Sequence, residues 1–359
     1  MSWGSPRNFF EHVVQTTLLP ASVAYGVGSY VRTVGYATSA LKRRRLPAHV
    51  ISVGNLTCGG TGKTPVTIDL AKELIRQGYR VAILSRGYKR KSTAPYVVVS
   101  DGNNILASCQ ESGDEPYLIA KLLKKCVVIV GSDRVKTGQV AIEQFRADIL
   151  ILDDGFQHIR LRRDQDLVLC DYSEDLDEQY LLPAGRLREP VSAIGRATSI
   201  AVTKVPVGCD PEAMAKITTL LRRYNQHADI SFCQFKAVPS QSIKASRVVA
   251  FCGIAKPEPF FNTLSALGAT VMKSVSFPDH HWYSEKEVAA LEAEVTKHKA
   301  DFLVTTAKDM VRLDTTHQIQ CPIVTVEQET VWLGEPPQAG VYRASAANLN
   351  DLTDLVLSK

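Results

Sequence analysis

The sequence lacks the features that mark secreted, metal-clustering or membrane-spanning proteins. Its eight cysteines, at positions 58, 109, 126, 170, 209, 233, 252 and 321, form no C-x-x-C pair and no His/Cys group at zinc spacing. That leaves free thiols in a reducing cytosol as the expectation. A basic n-region followed by an unbroken apolar stretch and a small-residue cleavage site is missing, so no signal peptide is expected. The apolar stretch at 21–31 stops at Arg32, short of the ~20 residues that span a bilayer. Any membrane contact would therefore be peripheral. Internal repeats and low-complexity tracts are absent too. The positive excess is small, 42 Lys and Arg against 37 Asp and Glu, and suits phosphates, nucleic acid or anionic lipid without choosing among them. A nucleic-acid face would interleave basic residues with aromatics, and none does, so no nucleic-acid partner is expected.

What is present is a chain of 359 residues, 45% hydrophobic, long enough for two domains. Residues 8–41 read as helical with an interruption at Pro20. Val27, Tyr30, Val31 and Val34 are spaced i, i+3, i+4, i+7, and Lys42-Arg43-Arg44-Arg45 follows. Such a helix suits an anionic membrane surface; docking on its own domain or on a second subunit suits the pattern equally. From residue 48, apolar runs at 49–53, 80–85, 126–130, 148–152, 167–171 and 199–204 alternate with helical stretches. This predicts an α/β fold, a parallel sheet covered on both faces, with ligands at the carboxyl ends of its strands. A second, smaller α/β domain follows from 247, with strands at 247–251 and 301–306. The expected organisation is an N-terminal membrane-associating helical segment at 1–45, a P-loop domain at 46–225, an irregular or ribbon-like linker at 226–246 and a C-terminal domain at 247–359.

The loop between the first strand and its helix reads Thr57-Cys58-Gly59-Gly60-Thr61-Gly62-Lys63-Thr64. Gly-Lys-Thr is the end of a Walker A loop, although Thr57 stands where its first glycine would be. Gly59, Gly60 and Gly62 let successive N–H groups curl round phosphate oxygens at a helix N-terminus. Lys63 would neutralise the β/γ charge of ATP and Thr64 would ligate Mg²⁺. Directly after the strand at 148–152 comes Asp153-Asp154, where P-loop proteins keep a metal-binding carboxylate. Adjacent carboxylates repel unless a cation is near. Three further groups, Asp114-Glu115-Pro116, Arg188-Glu189-Pro190 and Asp279-His280-His281-Trp282, are individually as compatible with helix-capping acids, a surface ion pair and solvated histidines as with catalysis.

In order, SVGNLTCGGTGKTP, SRGYKR, GDEP, ILDDGFQH, LPAGRLREP, GIAKPEPFF, FPDHHWY and TTAKD resemble the motifs of the tetraacyldisaccharide 4′-kinases of lipid A biosynthesis, over about residues 50–313. The resemblance implies a kinase that transfers the γ-phosphoryl group of ATP to the 4′-hydroxyl of an acylated glucosamine disaccharide 1-phosphate. It would work peripherally at the cytoplasmic face of the inner membrane, and no obligate protein partner is evident. The resemblance further implies a base dyad of Asp114 with a histidine of the second domain, taken as His280 with His281 left open. Asp153, Asp154 and Glu189 would handle Mg²⁺ and phosphate. Arg86, Tyr88, Gln157, His158 and Arg188, inside the shared motifs, would face the substrate. Ala307 departs from the glutamate common at that place in the family. The rival reading is a P-loop switch or metallochaperone. It lacks support, because Thr203-Lys204-Val205-Pro206 ends in proline where a guanine reader has aspartate, and no His- or Cys-rich tract exists.

Overall fold

The computed structural model describes residues 9–313 and 319–333; the outermost parts of the expected N-terminal segment and C-terminal domain lie outside them. The chain begins with a long helix, α1 (Phe9–Ala37), then alternates β1 (His49–Asn55), α2 (Lys63–Arg76), β2 (Val81–Ser85), β3 (Tyr96–Asp101), α3 (Cys109–Ser112), α4 (Asp114–Leu122), β4 (Val127–Gly131), α5 (Arg134–Phe145), β5 (Ile149–Asp153), β6 (Gln165–Asp171), β7 (Ser199–Thr203) and α6 (Pro211–Tyr224). It continues with β8 (Asp229–Pro239), β9 (Arg247–Cys252), α7 (Glu258–Ala266), β10 (Thr270–Ser276), α8 (Glu285–His298), β11 (Phe302–Thr306), α9 (Ala307–Leu313) and β12 (Ile323–Trp332).

The strands run in the order β10-β9-β11-β12-β8-β7-β6-β1-β5-β2-β4-β3. From β7 through β4 every pairing is parallel, as the continuous apolar runs predict. Helices cover both faces. Val66, Leu70 and Leu74 of α2 and Ile119 of α4 close one side, and Val135, Val140 and Ala141 of α5 close the other. Leu70 and Leu74 are fully buried, each contributing about 1.5–3 kcal/mol on hydrophobic transfer. β3, which the apolar pattern does not single out, closes one edge antiparallel to β4. The distal strands β10, β9, β11 and β12 pair in parallel.

The stretch 226–246, expected as a linker, carries β8. Asp229–Phe232 pair in parallel with β7, and Cys233–Pro239 pair antiparallel with β12. The ribbon is therefore regular strand, and its register holds because β12 returns to α2: Thr330 N–H donates to Asp69 Oδ2 at 3.0 Å, and Trp332 packs on the core beneath that helix.

Two expectations for the N-terminus change. α1 runs through Pro20 without a break; Pro20 is exposed, so the carbonyl that it displaces faces water, the side on which a helix tolerates opening. The basic cluster does not end the helix, which stops at Ala37. Leu41 N–H then returns to Gly35 O at 2.8 Å, and Arg44 bridges to Leu161 as a short parallel pair. One side of α1 docks on the segment 181–189: Ser22 Oγ donates to Leu181 O at 2.8 Å and Tyr25 Oη to Arg188 O at 2.9 Å. The apolar residues Val23, Val27, Tyr30 and Val31 remain outside, Tyr30 at 66% exposure and Val31 at 62%.

Candidate active site

β1 ends at Asn55, and the chain turns through 56–62 into α2 with Gly62 as N-cap in the left-handed region, φ 84°. A Cβ there would collide with the Phe235 ring of β8, so both the conformation and the close approach require glycine. The loop is fixed from three sides. Thr57 Oγ1 donates to Glu174 Oε2 at 2.9 Å, which gives the residue that replaces the first Walker glycine a structural task. Arg186 donates from Nε and Nη2 to Cys58 O at 2.9 and 2.7 Å and pairs through Nη1 with Glu174 at 2.7 Å. Thr203 Oγ1, at the end of β7, donates to Thr61 O at 2.8 Å. Gly59 and Gly60 lie exposed at the tip, and Thr64 is buried in the first turn of α2. Lys63 Nζ donates to Asn55 Oδ1 at 3.2 Å and lies 3.6 Å from Asp154.

β5 runs beside β1 with Asp153 opposite Val53, so both acids emerge next to the loop. Asp153 is buried and accepts from Ser85 Oγ at 3.1 Å. Burial, reinforced by the negative charges of Glu115 and Asp154, pushes its carboxyl up to about 6. Asp154 sits at φ 53° and pairs with Lys63 and with Arg188, the latter at 2.8 Å. Burial alone would raise its carboxyl, but these two cations hold it below the usual value. The neighbouring acids are thus driven apart, one toward neutrality and one toward charge. Gln157 Nε2 donates to Asn55 O at 2.9 Å, which ties the Asp-Asp-Gly-Phe-Gln-His turn to the end of β1. His158 lies behind, its Nε2 buried without a partner. Burial and the nearby guanidinium of Arg134 lower its imidazole to about 4, so it is neutral.

Glu189 does not join the acids. Only 1% exposed, it pairs with Arg196 at 2.7 Å and lies 3.8 Å from Arg32 of α1. Among the described residues no group of three or more His, Cys, Asp or Glu side chains converges on a metal-sized site. Glu189, expected among the acids that handle Mg²⁺ and phosphate, is flanked here by these two arginines.

The second cluster joins the start of α4 to the segment after β10 and to α9. Gly113, at φ 92°, precedes α4 and packs on Tyr88 O, which brings the Ser-Arg-Gly-Tyr turn after β2 against Asp114. Asp114 is buried, and its Oδ2 accepts from His280 Nδ1 at 2.7 Å and from Arg312 Nε and Nη2 at 2.9 and 2.5 Å. Burial would raise this carboxyl, but the hydrogen bond from His280 and the charge of Arg312 outweigh it and hold it well below the usual carboxylate range. An acid so held is a poor proton acceptor and a good orienter. With Nδ1–H directed at Asp114, His280 keeps Nε2 as its basic nitrogen. His280 sits at φ 64°, a conformation that a non-glycine residue holds only when its surroundings impose it. Tyr88, 64% exposed, lies edge-on to the imidazole at a centroid distance of 5.9 Å, and Arg86 is exposed at the end of β2. His281 turns away, stacked on Phe277 and bonded to Glu287 Oε1 at 3.0 Å. Adjacent residues point apart, and His280 alone meets Asp114.

Sequence reasoning missed Arg312. It is 3% exposed and also donates from Nη1 to Gly253 O and Asp309 Oδ1 at 3.0 Å each. In sequence it shows only as an Asp/Arg pair one helical turn apart. Lys308 pairs with Glu115 across the same seam at 2.5 Å. Ala307, beside it, packs its methyl on the small cluster of Cys109, Leu118 and Val311. Arg134 was missed as well: it is buried at the start of α5, with Nε unpartnered, in the field of Asp153 and Asp154.

Comparison with known proteins identifies the family. Residues 14–341 match the family model described as tetraacyldisaccharide-1-P 4′-kinase. The chain is 40% identical over 311 residues to the tetraacyldisaccharide 4′-kinase of Pelobacter propionicus, covering 86% of each chain. It is 41% identical over 317 residues to that of Syntrophus aciditrophicus, covering 84% of this chain and 85% of the relative. Among solved structures it is similar to the "apo" form of LpxK from Aquifex aeolicus in complex with ATP, with a TM-score of 0.70 and 33% identity over 89% of this chain and 95% of that one.

Proposed function

The chain belongs to the tetraacyldisaccharide 4′-kinase family, an ATP-dependent kinase family of lipid A biosynthesis, and from that premise we propose how its residues carry out the transfer. The acceptor is the 4′-hydroxyl of a tetraacylated glucosamine disaccharide 1-phosphate, and the donor is the γ-phosphoryl group of ATP on the loop 57–64. The observation that carries this reading is the contact between Asp114, at the start of α4, and His280, in the segment after β10.

Lys63 would leave Asn55 and Asp154 for the β/γ phosphates, and the N–H groups of Gly60 to Thr64 would cradle them. A buried carboxylate beside a second one, given only a hydroxyl hydrogen bond, fits a divalent cation. Asp153 and Thr64 would hold Mg²⁺, with Asp154 in reach, and water and phosphate oxygens would complete its shell. When bound, Mg²⁺ supplies neutralisation of charge on the transferred phosphoryl group. Arg188, already on Asp154, is placed to stabilise the same charge. His280 Nε2 accepts the proton of the sugar hydroxyl as the new bond forms, and Asp114 fixes the ring and stabilises the imidazolium. Because the dyad straddles two bodies, it is complete only when they meet, which keeps water from the γ-phosphate until then. Arg86 and Tyr88 beside His280 would contact the disaccharide, and Gln157 and Arg188 would line the loop side. The chain is read as a kinase body at 46–225 and a smaller body from 247 joined by the β8–β12 ribbon.

No helix among the described residues is long and apolar enough to cross a membrane. The exposed apolar side of α1 and the basic residues after it would rest on the cytoplasmic surface of the inner membrane, peripherally, where the lipid substrate lies.

The test is phosphate transfer from labelled ATP to the disaccharide lipid. Asp114→Asn and His280→Gln should each lower kcat by about 10²–10⁴, the usual share of positioned acid–base catalysis, with ATP affinity kept. His281→Gln should stay near parental turnover. Label found only in free phosphate, or a fully active His280→Gln protein, would sink the assignment.

A further inference from the structure

Residues along the length of α1 reach a single segment of the chain, 181–189. Ser22, Tyr25 and Gly26 are spaced i, i+3, i+4 and so share one side of the helix. Ser22, 5% exposed, donates to Leu181 O at 2.8 Å and accepts from Ala184 N–H at 2.9 Å. Gln15 Nε2 adds a bond to Ala184 O at 3.3 Å. Gly26 allows the close approach, since a Cβ there would lie 2.8 Å from Leu181 Cδ1. Tyr25 Oη donates to Arg188 O at 2.9 Å, and Arg32 lies 3.8 Å from the neighbouring Glu189.

The far side of that segment meets the phosphate loop. Leu187 pairs with Thr57 as a short antiparallel bridge. Cys58 N–H donates to Arg186 O and Arg188 N–H to Leu56 O, each at 2.7 Å. The Arg188 side chain continues inward, where Nη1 meets the two oxygens of Asp154 at 2.9 and 2.8 Å. One residue thus has its carbonyl on α1, its amide on the turn out of β1, and its guanidinium on the acid that also faces Lys63. Burial raises the Tyr25 phenol above its ordinary value, and the nearby Cys58 adds to the rise. The hydroxyl therefore stays protonated and donates. The reach of a long side chain starts from its backbone, and a shift of about 1 Å at a reacting centre costs up to about 10²-fold in rate.

We propose that Tyr25 is a positioning residue for phosphoryl transfer: from α1 it fixes the backbone of Arg188, and so the place of the guanidinium on Asp154 and on the charge being transferred. The inference rests on the role given to Arg188 above. It assigns α1 a second task, because the helix whose apolar side rests on lipid also sets the phosphate side of the site. Val23, Val27, Tyr30 and Val31 face away from the segment 181–189 and are exposed, so the two tasks separate by substitution.

The full chain is assayed for transfer from ATP to detergent-dispersed acceptor, with partition into anionic vesicles measured beside it. Tyr25→Phe removes one hydroxyl and keeps the ring. Its kcat should fall about 3- to 10-fold, the worth of one hydrogen bond, with KM for ATP and for acceptor unchanged and vesicle partition not reduced. A residue that only seated the helix would move partition or the melting temperature and leave the kcat of folded protein alone. Arg188→Ala should lower kcat by about 10²- to 10³-fold, as loss of one preorganised donor does. In that background Tyr25→Phe should change kcat by less than about twofold, because nothing remains for it to position. Parental kcat in Tyr25→Phe beside an impaired Arg188→Ala protein overturns this proposal and leaves the role of Arg188 standing. Losses that multiply in the double variant overturn it as well, since Tyr25 would then act through another group. Parental kcat in Arg188→Ala removes the role of Arg188 itself, and the proposal with it. A raised KM for acceptor at unchanged kcat would make Tyr25 an acceptor contact and likewise overturns the positioning role.

Discussion

Replacing Arg312 by lysine separates its charge from its geometry. Two of its N–H groups rest on Asp114 Oδ2, at 2.9 and 2.5 Å, and a third group spans Gly253 O and Asp309. A lysine ammonium preserves the charge but cannot reach both carboxylates from one rigid plane. The loss at Asp114 is about one charge-assisted hydrogen bond, ~1.5–3 kcal/mol. If that energy serves to align His280, kcat should fall by about 10- to 100-fold at 1.36 kcal/mol per decade, with KM for ATP unchanged. The acid limb of stability should move as well. Asp114 is depressed below its ordinary value of 3.8, so it contributes stability that is present above about pH 4 and is lost as pH falls through the folded value. Weakening Arg312 raises that folded value, and acid unfolding of Arg312→Lys should begin at a higher pH than in the parent. Arg312→Ala is the harsher variant: two buried carboxylates lose their cation, a loss of about 3–5 kcal/mol, and it should fold poorly. The decisive assay is a double-mutant cycle of kcat. In an Asp114→Asn background, Arg312→Lys should add little, because both changes act on one oxygen. Independent, multiplying losses, or a normal kcat in a stable Arg312→Lys protein, would refute the positioning role.

Asp153→Asn should abolish transfer yet raise the melting temperature of the ligand-free protein at neutral pH. A carboxyl raised to about 6 contributes stability below its unfolded value and loses it as pH rises through the folded one, a loss of order 1–3 kcal/mol by pH 7; an unchanged melting temperature would mean that the charge is already compensated. Gly62→Ala, at φ 84° and against Phe235, should cost well over 1 kcal/mol and remove nucleotide binding by calorimetry, whereas Gly78→Ala, in open space at a turn, should spare binding. Val27, Tyr30 and Val31 changed together to serine should lower partition into anionic vesicles at least about tenfold with no drop in melting temperature, since these side chains are exposed; unaltered partition would place the membrane contact elsewhere.

The phosphate loop and the inner parallel strands were legible because their signals are local. Apolar runs buried on both faces, such as Ile149–Asp153, need no partner to be recognised. β10 was not, because all of its residues, Thr270–Ser276, stay at least partly exposed and present no continuous apolar run. β8 was hidden for another reason. Its first half answers to β7 and its second to β12, so no single face alternates along it. At the site, Asp114 and His280 were found through motif resemblance, while Arg312 has no sequence signal beyond a helical turn to Asp309. For Glu189, a carboxylate in a shared motif says nothing of which cation it meets, here Arg196 and Arg32.

The return of β12 also bears on how the chain is made. Trp332 completes the core under α2, Leu333 packs on the core near β7, and Thr330 caps Asp69. The N-terminal body therefore lacks part of its interior until residue 333 has been synthesised. A ribosome that has released the first 246 residues holds a sheet whose β8 edge is half unpaired, and such an edge is open to pairing with other chains. Closing it spans more than 250 residues of sequence between Asp69 and Thr330, a contact of the kind that slows folding. Truncation before 323 should for that reason yield aggregation rather than a small soluble nucleotide-binding fragment.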